Sequence, residues 1–509
     1  MREAEARPPR TGTPYLQPTV PLHAPALPVH GAPARLELVS TRALAVVAAQ
    51  LSVAGAALLY LNRTLAGDVY FLLASGRLLT EEGWVTRSPF PTLAQGHVWH
   101  NQQWLAEWLF FQTHALGGMA GVSLAYATVL VGGLAPLAWL CRDRSARATA
   151  AAWALSIAAL LAVLDPRAAG FSFALFAGVA ALLAIARRRS GALFAVPVLF
   201  AVWANLHGAF PAGLLLLALA GVGVALRPRR GRLPSVEPYR SLPLVATLGV
   251  SVVALLLTPL GVEILDYLRV YDRHIAPHHL PFEWQATYLH PPVLALVIAF
   301  SALAVWLWRE APRPRPVTPA LVAVAFVVLA LTATRQVVWL GPLAFYLVHA
   351  LGRPRPAPTI SAGRRARVEG LARRAWAGAA TAALVLVLAW CALVGPAPPG
   401  PPQAAAATRQ ALAHPPDRGR LVLPAGAGSY ALWRNPDRPI AIDGRMELYT
   451  PHEVRSTYRI LDGKGARRTL RRWRVGGVVT RSRRGVRVLR RHGFRVEARR
   501  GGAFYLVRR

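Results

Sequence analysis

The feature that most constrains this chain is a succession of apolar runs, each about 17 to 25 residues long, separated by short arginine-rich segments. Candidate spans fall near 41–62, 118–141, 148–164, 168–186, 190–206, 208–226, 242–260, 291–308, 318–334, 336–351 and 375–395. As helices, runs of this length cover the hydrocarbon layer of a bilayer and satisfy their own backbone hydrogen bonds where water is absent. A water-soluble surface is excluded on composition, with 54% hydrophobic and only 16% charged residues. The stretch 101–117 (NQQWLAEWLFFQTHALG) is aromatic and amphipathic, which places it along the interface instead of across the membrane.

The net charge of +35 is distributed as short basic blocks between the apolar runs, a pattern of membrane topology and not of nucleic-acid binding. Arginine clusters at 142–147, 187–189, 227–240, 309–315 and 353–374 mark the cytoplasmic side, and the connections on the other side carry far fewer basic residues. An odd number of spans, eleven in this reading, puts the N-terminus inside and the C-terminus outside a bacterial inner membrane. Residues 1–40, rich in proline and arginine with no apolar leader core, read as a disordered cytoplasmic tail. A Pro/Ala linker at 396–407 sets off residues 408–509, where 25 basic residues face 7 acidic ones. Such a patch suits anionic lipid headgroups. In this region short β-like runs (LVLP, PIAI, GGVVT, FRVEAR, AFYLVR) alternate with helical stretches around 451–473 and 482–492. The fold class is therefore an all-α polytopic membrane protein carrying a small C-terminal extracytoplasmic α/β domain, with the transmembrane domain covering 41–395.

Away from their ends the spans contain no Asp, Glu, Lys or Arg. An ion-coupled transporter places such groups near the midplane, so the chemistry belongs in the two long outer loops, 63–117 and 261–290, and at the outer helix ends. Asp68, just after the first span, is open to two readings, a general base or a carboxylate at the start of an interfacial helix. Gln103 and Glu107 share one face of the next helix, which also reads as an aromatic anchor. Asn205 and His207 lie in a short outer turn that suits either a donor phosphate or a helix end, and Arg335, with Arg167 a weaker case, is an outer cation that suits either a phosphate or snorkelling to the interface. His274, His278 and His279 with Asp272 and Glu283 lack any metal-ligand spacing. Asp443, Arg445, Glu447 and Tyr449 follow a β-like run and suit either a binding loop or an internal salt bridge.

Several stretches carry a family resemblance. Asp68 precedes the aromatic pair Tyr70-Phe71 and the sequence Ala74-Ser75-Gly76-Arg77; Pro89-Phe90 and Trp99-x4-Trp104-Leu105-x-Glu107 follow; then come WANLHG at 203–208, Glu283-Trp284-Gln285 and IDGRMELY at 442–449. This pattern resembles bacterial polytopic members of the glycosyltransferase-C superfamily, related to family 39-type enzymes. The resemblance implies a GT-C-like membrane glycosyltransferase that moves a sugar from a polyprenyl-phosphate donor to an extracytoplasmic glycan, lipid or protein acceptor. With the resemblance, Asp68 is expected as catalytic base, Arg77, Asn205, His207, Gln103 and Glu107 toward the donor phosphate or substrate, and Asp443, Arg445 and Tyr449 as binding residues of the C-terminal domain, while Arg335 joins the phosphate set on its outer position alone. No cofactor and no metal site is implied. The sequence departs from the family at Ala66 and Ser88, where relatives often carry acids, and at Gln102-Gln103, where they tend to have His-Glu. The reading from a different class is a non-catalytic lipid-linked-glycan binding or assembly factor, or a transporter.

Overall fold

The computed structural model describes residues 68–160, 166–226, 241–267, 284–354, 405–464 and 467–508, with single positions at 269 and 385. The expected N-terminal tail, the spans at 41–62 and 375–395, most of the linker, and the His274, His278, His279, Asp272 and Glu283 group lie outside the described residues.

The chain enters on α1 (Asp68–Glu81), followed by an irregular stretch and then α2 (Trp104–Leu140). At 37 residues α2 would outrun any bilayer, but Gly117 and Gly118 break it with non-helical dihedrals, Gly118 at φ 56°. The break falls at the boundary expected between the interfacial stretch 101–117 and the span that begins at 118. The apolar helices α3 (Ala146–Leu160), α4 (Ala169–Ala186), α5 (Val196–Leu206), α6 (Pro211–Ala225), α7 (Ser241–Ala254), α8 (Pro291–Glu310), α9 (Val317–Thr332) and α10 (Leu340–Leu351) coincide with the described spans within a few residues. Among the described residues, three helices are both long and apolar enough to cross a membrane: Trp104–Leu140, Ala169–Ala186 and Pro291–Glu310. The others are shorter apolar helices, α5 being extended at its start by a 3₁₀ turn over Ser190–Ala195.

These helices share one apolar core in which Phe173, Phe176, Phe200, Trp203, Phe300, Phe326, Phe345 and Tyr346 are fully buried. Small residues let the backbones approach: a Cβ on Gly133 would stand 2.6 Å from the Ala174 Cα, the close crossing that glycine permits between packed helices.

The C-terminal region opens with α11 (Ala405–Ala413), so the last residues of the expected linker are helical. A four-stranded sheet follows, in the order β1-β2-β4-β3, from β1 (Arg420–Val422), β2 (Val475–Thr480), β3 (Phe494–Arg500) and β4 (Ala503–Arg508). β1 and β2 are parallel, and the other pairs are antiparallel. The PIAI run contributes a single parallel bridge, Leu421 to Ile440, instead of a full strand. Between β1 and that bridge lies α12 (Ala425–Arg434). The stretch 451–473 forms two helices, α13 (Pro451–Asp462) and α14 (Arg467–Arg472). Gly463 stops the first in the left-handed conformation, φ 71°, and a Thr450/Glu453 capping box starts it. The helix expected at 482–492 is α15 (Arg483–Arg491).

Alternation along the strands gives the sheet two different faces. Val422, Val478 and Leu506 pack under α13, α14 and α15 through Ile460, Leu470 and Leu489. Leu421, Leu423, Val479 and Tyr505 instead share a core with Ala74, Leu78, Phe90, Ala94 and Trp99 of the first outer loop. The sheet and that loop are thus folded against one another.

Candidate functional site

Asp68 occupies the first turn of α1, where a carboxylate is favoured by the helix dipole. Its Oδ2 faces the Arg167 Nη1 at 4.0 Å, with both side chains partly exposed. Arg167 precedes α4. From the end of α5, His207 comes within electrostatic range of both Arg167 and Arg335. Arg335 lies in a 3₁₀ turn, Thr334–Trp339, with its guanidinium 4.1 Å from the centre of the Trp284 ring. Four separate segments therefore bring one carboxylate, two guanidiniums and one imidazole to the same end of the helical body. Burial, reinforced by the two arginines, pushes His207 down to about 3, so the ring is neutral at physiological pH. Its Nδ1 is 2.8 Å from Ser172 Oγ, which accepts a 2.7 Å hydrogen bond from Trp203 Nε1.

A second polar group forms where the first loop meets the C-terminal domain. Arg445 is buried and makes a two-pronged ion pair with Asp443: Nη2 to Oδ2 at 2.7 Å and Nε to Oδ1 at 3.1 Å. Tyr449 donates its hydroxyl to Asp443 Oδ2 at 2.8 Å. Phe90 and Trp99 bracket the guanidinium, their ring centres 4.6 and 4.8 Å from its carbon. Burial works against the charge on Arg445, but Asp443 outweighs it and holds the group protonated.

Beside Arg445 lies Glu107, fully buried near the start of α2, in the stretch before the Gly117 break, with its Oε2 accepting from Asn101 Nδ2 at 2.6 Å. Burial pushes its carboxyl up to about 8, against the pull of Asn101 and Arg445. Glu447, partly exposed, is pushed up to about 7 by burial, with Asp443 and Asp68 adding to the effect and Arg445 opposing it. Glu447 thus lies in the field of Asp68 and joins the two groups electrostatically.

The remaining candidates go elsewhere. Arg77 stacks on Trp433 at 4.8 Å and donates from Nη2 to the Trp433 carbonyl at 3.2 Å, tying α1 to α12. Asn205 uses its whole amide inside the protein: Nδ2 donates to the carbonyls of Ala201 and Leu257, both at 2.8 Å, and Oδ1 accepts from Trp104 Nε1 at 2.7 Å. Gln103 sits at the start of α2 within hydrogen-bonding reach of Glu107. A wide apolar groove of about 620 Å³ runs past Asn205, lined by Trp104, Leu105, Val202, Leu256, Leu257 and Pro259. None of Asp68, Arg167, His207 and Arg335 lines it. Among the described residues, no three His, Cys, Asp or Glu side chains are grouped to hold a metal ion.

Residue-by-residue reading undervalues Ser172, Trp203, Asn101 and Glu447. An uncharged serine inside an apolar helix gives no local cue, and Trp203 was accessible only as the first residue of the WANLHG stretch. Glu447 was accessible as one member of the IDGRMELY stretch.

Neither a protein-family model nor a curated protein sequence matches this chain. Solved structures do. Over 93% of its length the chain superposes on 98% of ArnT from Cupriavidus metallidurans bound to undecaprenyl phosphate, with a TM-score of 0.53 and 17% identity. The fold resembles that of ArnT. The apo form of ArnT gives the same coverage and TM-score at 16% identity. Identity this low speaks for fold alone, and at that level the likeness to ArnT agrees with the helical body and small C-terminal sheet expected from the sequence. Because nearly the whole of each chain is covered, the C-terminal sheet and the helical body both belong to the shared architecture.

Proposed function

We propose that this chain is a membrane glycosyltransferase that moves a sugar from a polyprenyl-phosphate donor to an extracytoplasmic acceptor, with Asp68 as general base. The observation that carries the reading is the meeting of Asp68 with Arg167, His207 and Arg335 at one end of the helical body. Transfer from a lipid phosphate asks for that set of groups. A carboxylate takes the proton of the acceptor hydroxyl as its oxygen attacks the anomeric carbon. The bond from that carbon to the phosphate oxygen breaks, and the departing polyprenyl phosphate carries away the electron pair. Arg167 and Arg335 match the charge that grows on the phosphate, and His207 adds a hydrogen bond without adding charge. The sugar passes through an oxocarbenium-like state. Phosphate is already a good leaving group, so no second acid is needed to protonate it.

The ArnT crystal structure bound to undecaprenyl phosphate supports a polyprenyl-phosphate donor for the same fold. On this reading the apolar groove that Asn205 helps to line, two residues from His207, is the bed for the prenyl chain. On this reading the chain crosses the inner membrane eleven times, and the C-terminal domain lies on the outer side, where it closes over the first loop. Asp443, Arg445 and Tyr449 position that domain, and Glu447 faces the acceptor side of Asp68.

The test is transfer of labelled sugar from polyprenyl-phosphate donors in membranes carrying the wild type or Asp68→Asn. Removal of a general base lowers turnover by roughly 10² to 10⁴-fold. Equal turnover by both proteins would eliminate Asp68 as base. Donor binding without transfer, by either protein and with every donor tried, would establish the non-catalytic binding-factor reading instead.

A further inference from the structure

We infer that Ser172 and Trp203 fix the tautomer of His207, presenting its Nε2–H as a neutral hydrogen-bond donor to the phosphate of the lipid-linked donor. The inference rests on the proposed role of the Asp68, Arg167, His207 and Arg335 cluster as the seat of that phosphate. It assigns the placing of a proton to two residues inside the apolar helices.

The assignment follows from counting donors and acceptors. Trp203 Nε1 has a proton to give and no lone pair to offer, so Ser172 Oγ must be the acceptor in their 2.7 Å contact. Ser172 is buried, 1% exposed, and its hydroxyl hydrogen needs an acceptor of its own. Serines elsewhere in these helices return that hydrogen to a carbonyl one turn back, as Ser301 does to Val297 at 2.8 Å. Ser172 makes no such bond. Its other partner is His207 Nδ1 at 2.8 Å, so Ser172 donates and Nδ1 accepts. With Nδ1 serving as acceptor on the neutral ring, the proton resides on Nε2. The opposite tautomer would leave a buried hydroxyl hydrogen without an acceptor.

The chain Trp203 to Ser172 to His207 is anchored at each step. Trp203 is fully buried, with Phe200 stacked on it at 5.7 Å, and it packs so closely on α6 that a Cβ at Gly213 would stand 2.6 Å from its ring. The backbone of His207 is held as well, donating its N–H to the Trp203 carbonyl at 3.1 Å. The imidazole therefore has little freedom to flip, and Arg167 and Arg335 both oppose a second proton on it. A neutral donor in the field of two guanidiniums binds a phosphate oxygen yet has no labile proton to surrender to the leaving group. Ser172 and Trp203 are positioning residues in this scheme, and His207 is the group that touches the ligand.

Two readouts test it on the full-length protein in nanodiscs. The first is the nitrogen NMR spectrum of ¹⁵N-histidine-labelled protein, with the His207 signals assigned by their loss in His207→Gln. The wild type should show Nδ1 unprotonated and Nε2 protonated, and Ser172→Ala should shift that pattern toward a mixture of tautomers. The second is the affinity for undecaprenyl phosphate. The amide nitrogen of His207→Gln can take the place of Nε2, so that variant should bind within about threefold of wild type. His207→Asn carries its nitrogen near the Nδ1 place and should bind about tenfold more weakly, the loss of one hydrogen bond to a charged group. A protonated Nδ1 in the wild type, or His207→Asn binding as well as His207→Gln, overturns the inference. Absence of undecaprenyl phosphate binding by the wild type, with the expected NMR pattern intact, overturns the phosphate-seat reading and the ligand role of His207 while upholding the tautomer.

Discussion

Glu107 offers a sharp quantitative test, because its carboxyl is buried and its partner Asn101 shows which protonation state the fold prefers. Asn101 Nδ2 donates to Glu107 Oε2, yet Glu107 Oε1 and Asn101 Oδ1 are both buried acceptors with no hydrogen-bond donor. A proton on Oε1 makes it a donor, and a carboxylic acid facing an amide satisfies both sets of atoms. Burial pushes the group from its ordinary 4.5 up to about 8. The folded protein therefore holds a proton across a window in which the unfolded chain has released it, and stability falls as pH rises through that window. The contribution is fully present below about 4.5 and is lost above about 8. Its slope is about 1.4 kcal/mol per pH unit, roughly 5 kcal/mol across the whole range as an order of magnitude. Glu107→Gln imitates the protonated acid, with Nε2 donating to Asn101 Oδ1, and does not titrate. Thermal melts of both proteins in the same detergent from pH 5 to 9 should give nearly equal midpoints at pH 5 and a widening advantage for Glu107→Gln above pH 6. A midpoint difference that stays constant across that range refutes the protonated pair.

Arg445→Ala leaves Asp443 buried and unpaired, and should cost about 3 to 5 kcal/mol, read as a lowered melting midpoint together with earlier proteolysis of the C-terminal domain. Gly76→Ala sets a Cβ about 2.2 Å from the Glu107 carbonyl oxygen, so α1 must move away from α2; melting should drop, and Asp68-dependent transfer should fall with it. Asn205→Ala removes the amide that ties Trp104 to the Ala201 and Leu257 carbonyls. Expected there is a loss of about 1 to 3 kcal/mol in melting experiments with little change in undecaprenyl phosphate affinity, whereas a large affinity loss at unchanged stability would make Asn205 a ligand residue. Arg335→Gln should weaken undecaprenyl phosphate binding, and by a smaller factor at high salt, since its contribution is Coulombic.

How far the sequence could be read depended on the range of the interactions involved. Helix positions in the body follow from the length of local apolar runs, and the break at Gly117-Gly118 falls where the composition changes from aromatic and amphipathic to uniformly apolar. Motif likeness pointed to a polytopic glycosyltransferase-C-like protein, and the likeness to ArnT, at 17% identity, agrees with it at the level of fold. Asp68, His207 and Arg335 were legible as outer polar groups, but their meeting was not, because it depends on how helices far apart in sequence pack. Asn205 and Arg77 looked equally polar and outward, and the structure spends their hydrogen bonds on internal carbonyls and on Trp433. The strand expected at 439–442 is one bridge to β1, and other backbone groups of that run pair with the first loop, Ile440 N–H to the Pro91 carbonyl at 3.1 Å and Leu93 N–H to the Ala441 carbonyl at 3.0 Å.

The core shared by the first loop and the sheet also has a consequence in time. Arg77 and Trp433 are 356 positions apart. At roughly 5 to 20 residues per second of synthesis, the loop waits on the order of twenty seconds to a minute before the partner that completes it exists. During that interval Phe90 and Trp99 have no guanidinium between them and no sheet beneath. The final hundred residues act as a keystone, and a ribosome that stops short of them leaves a loop with half a core.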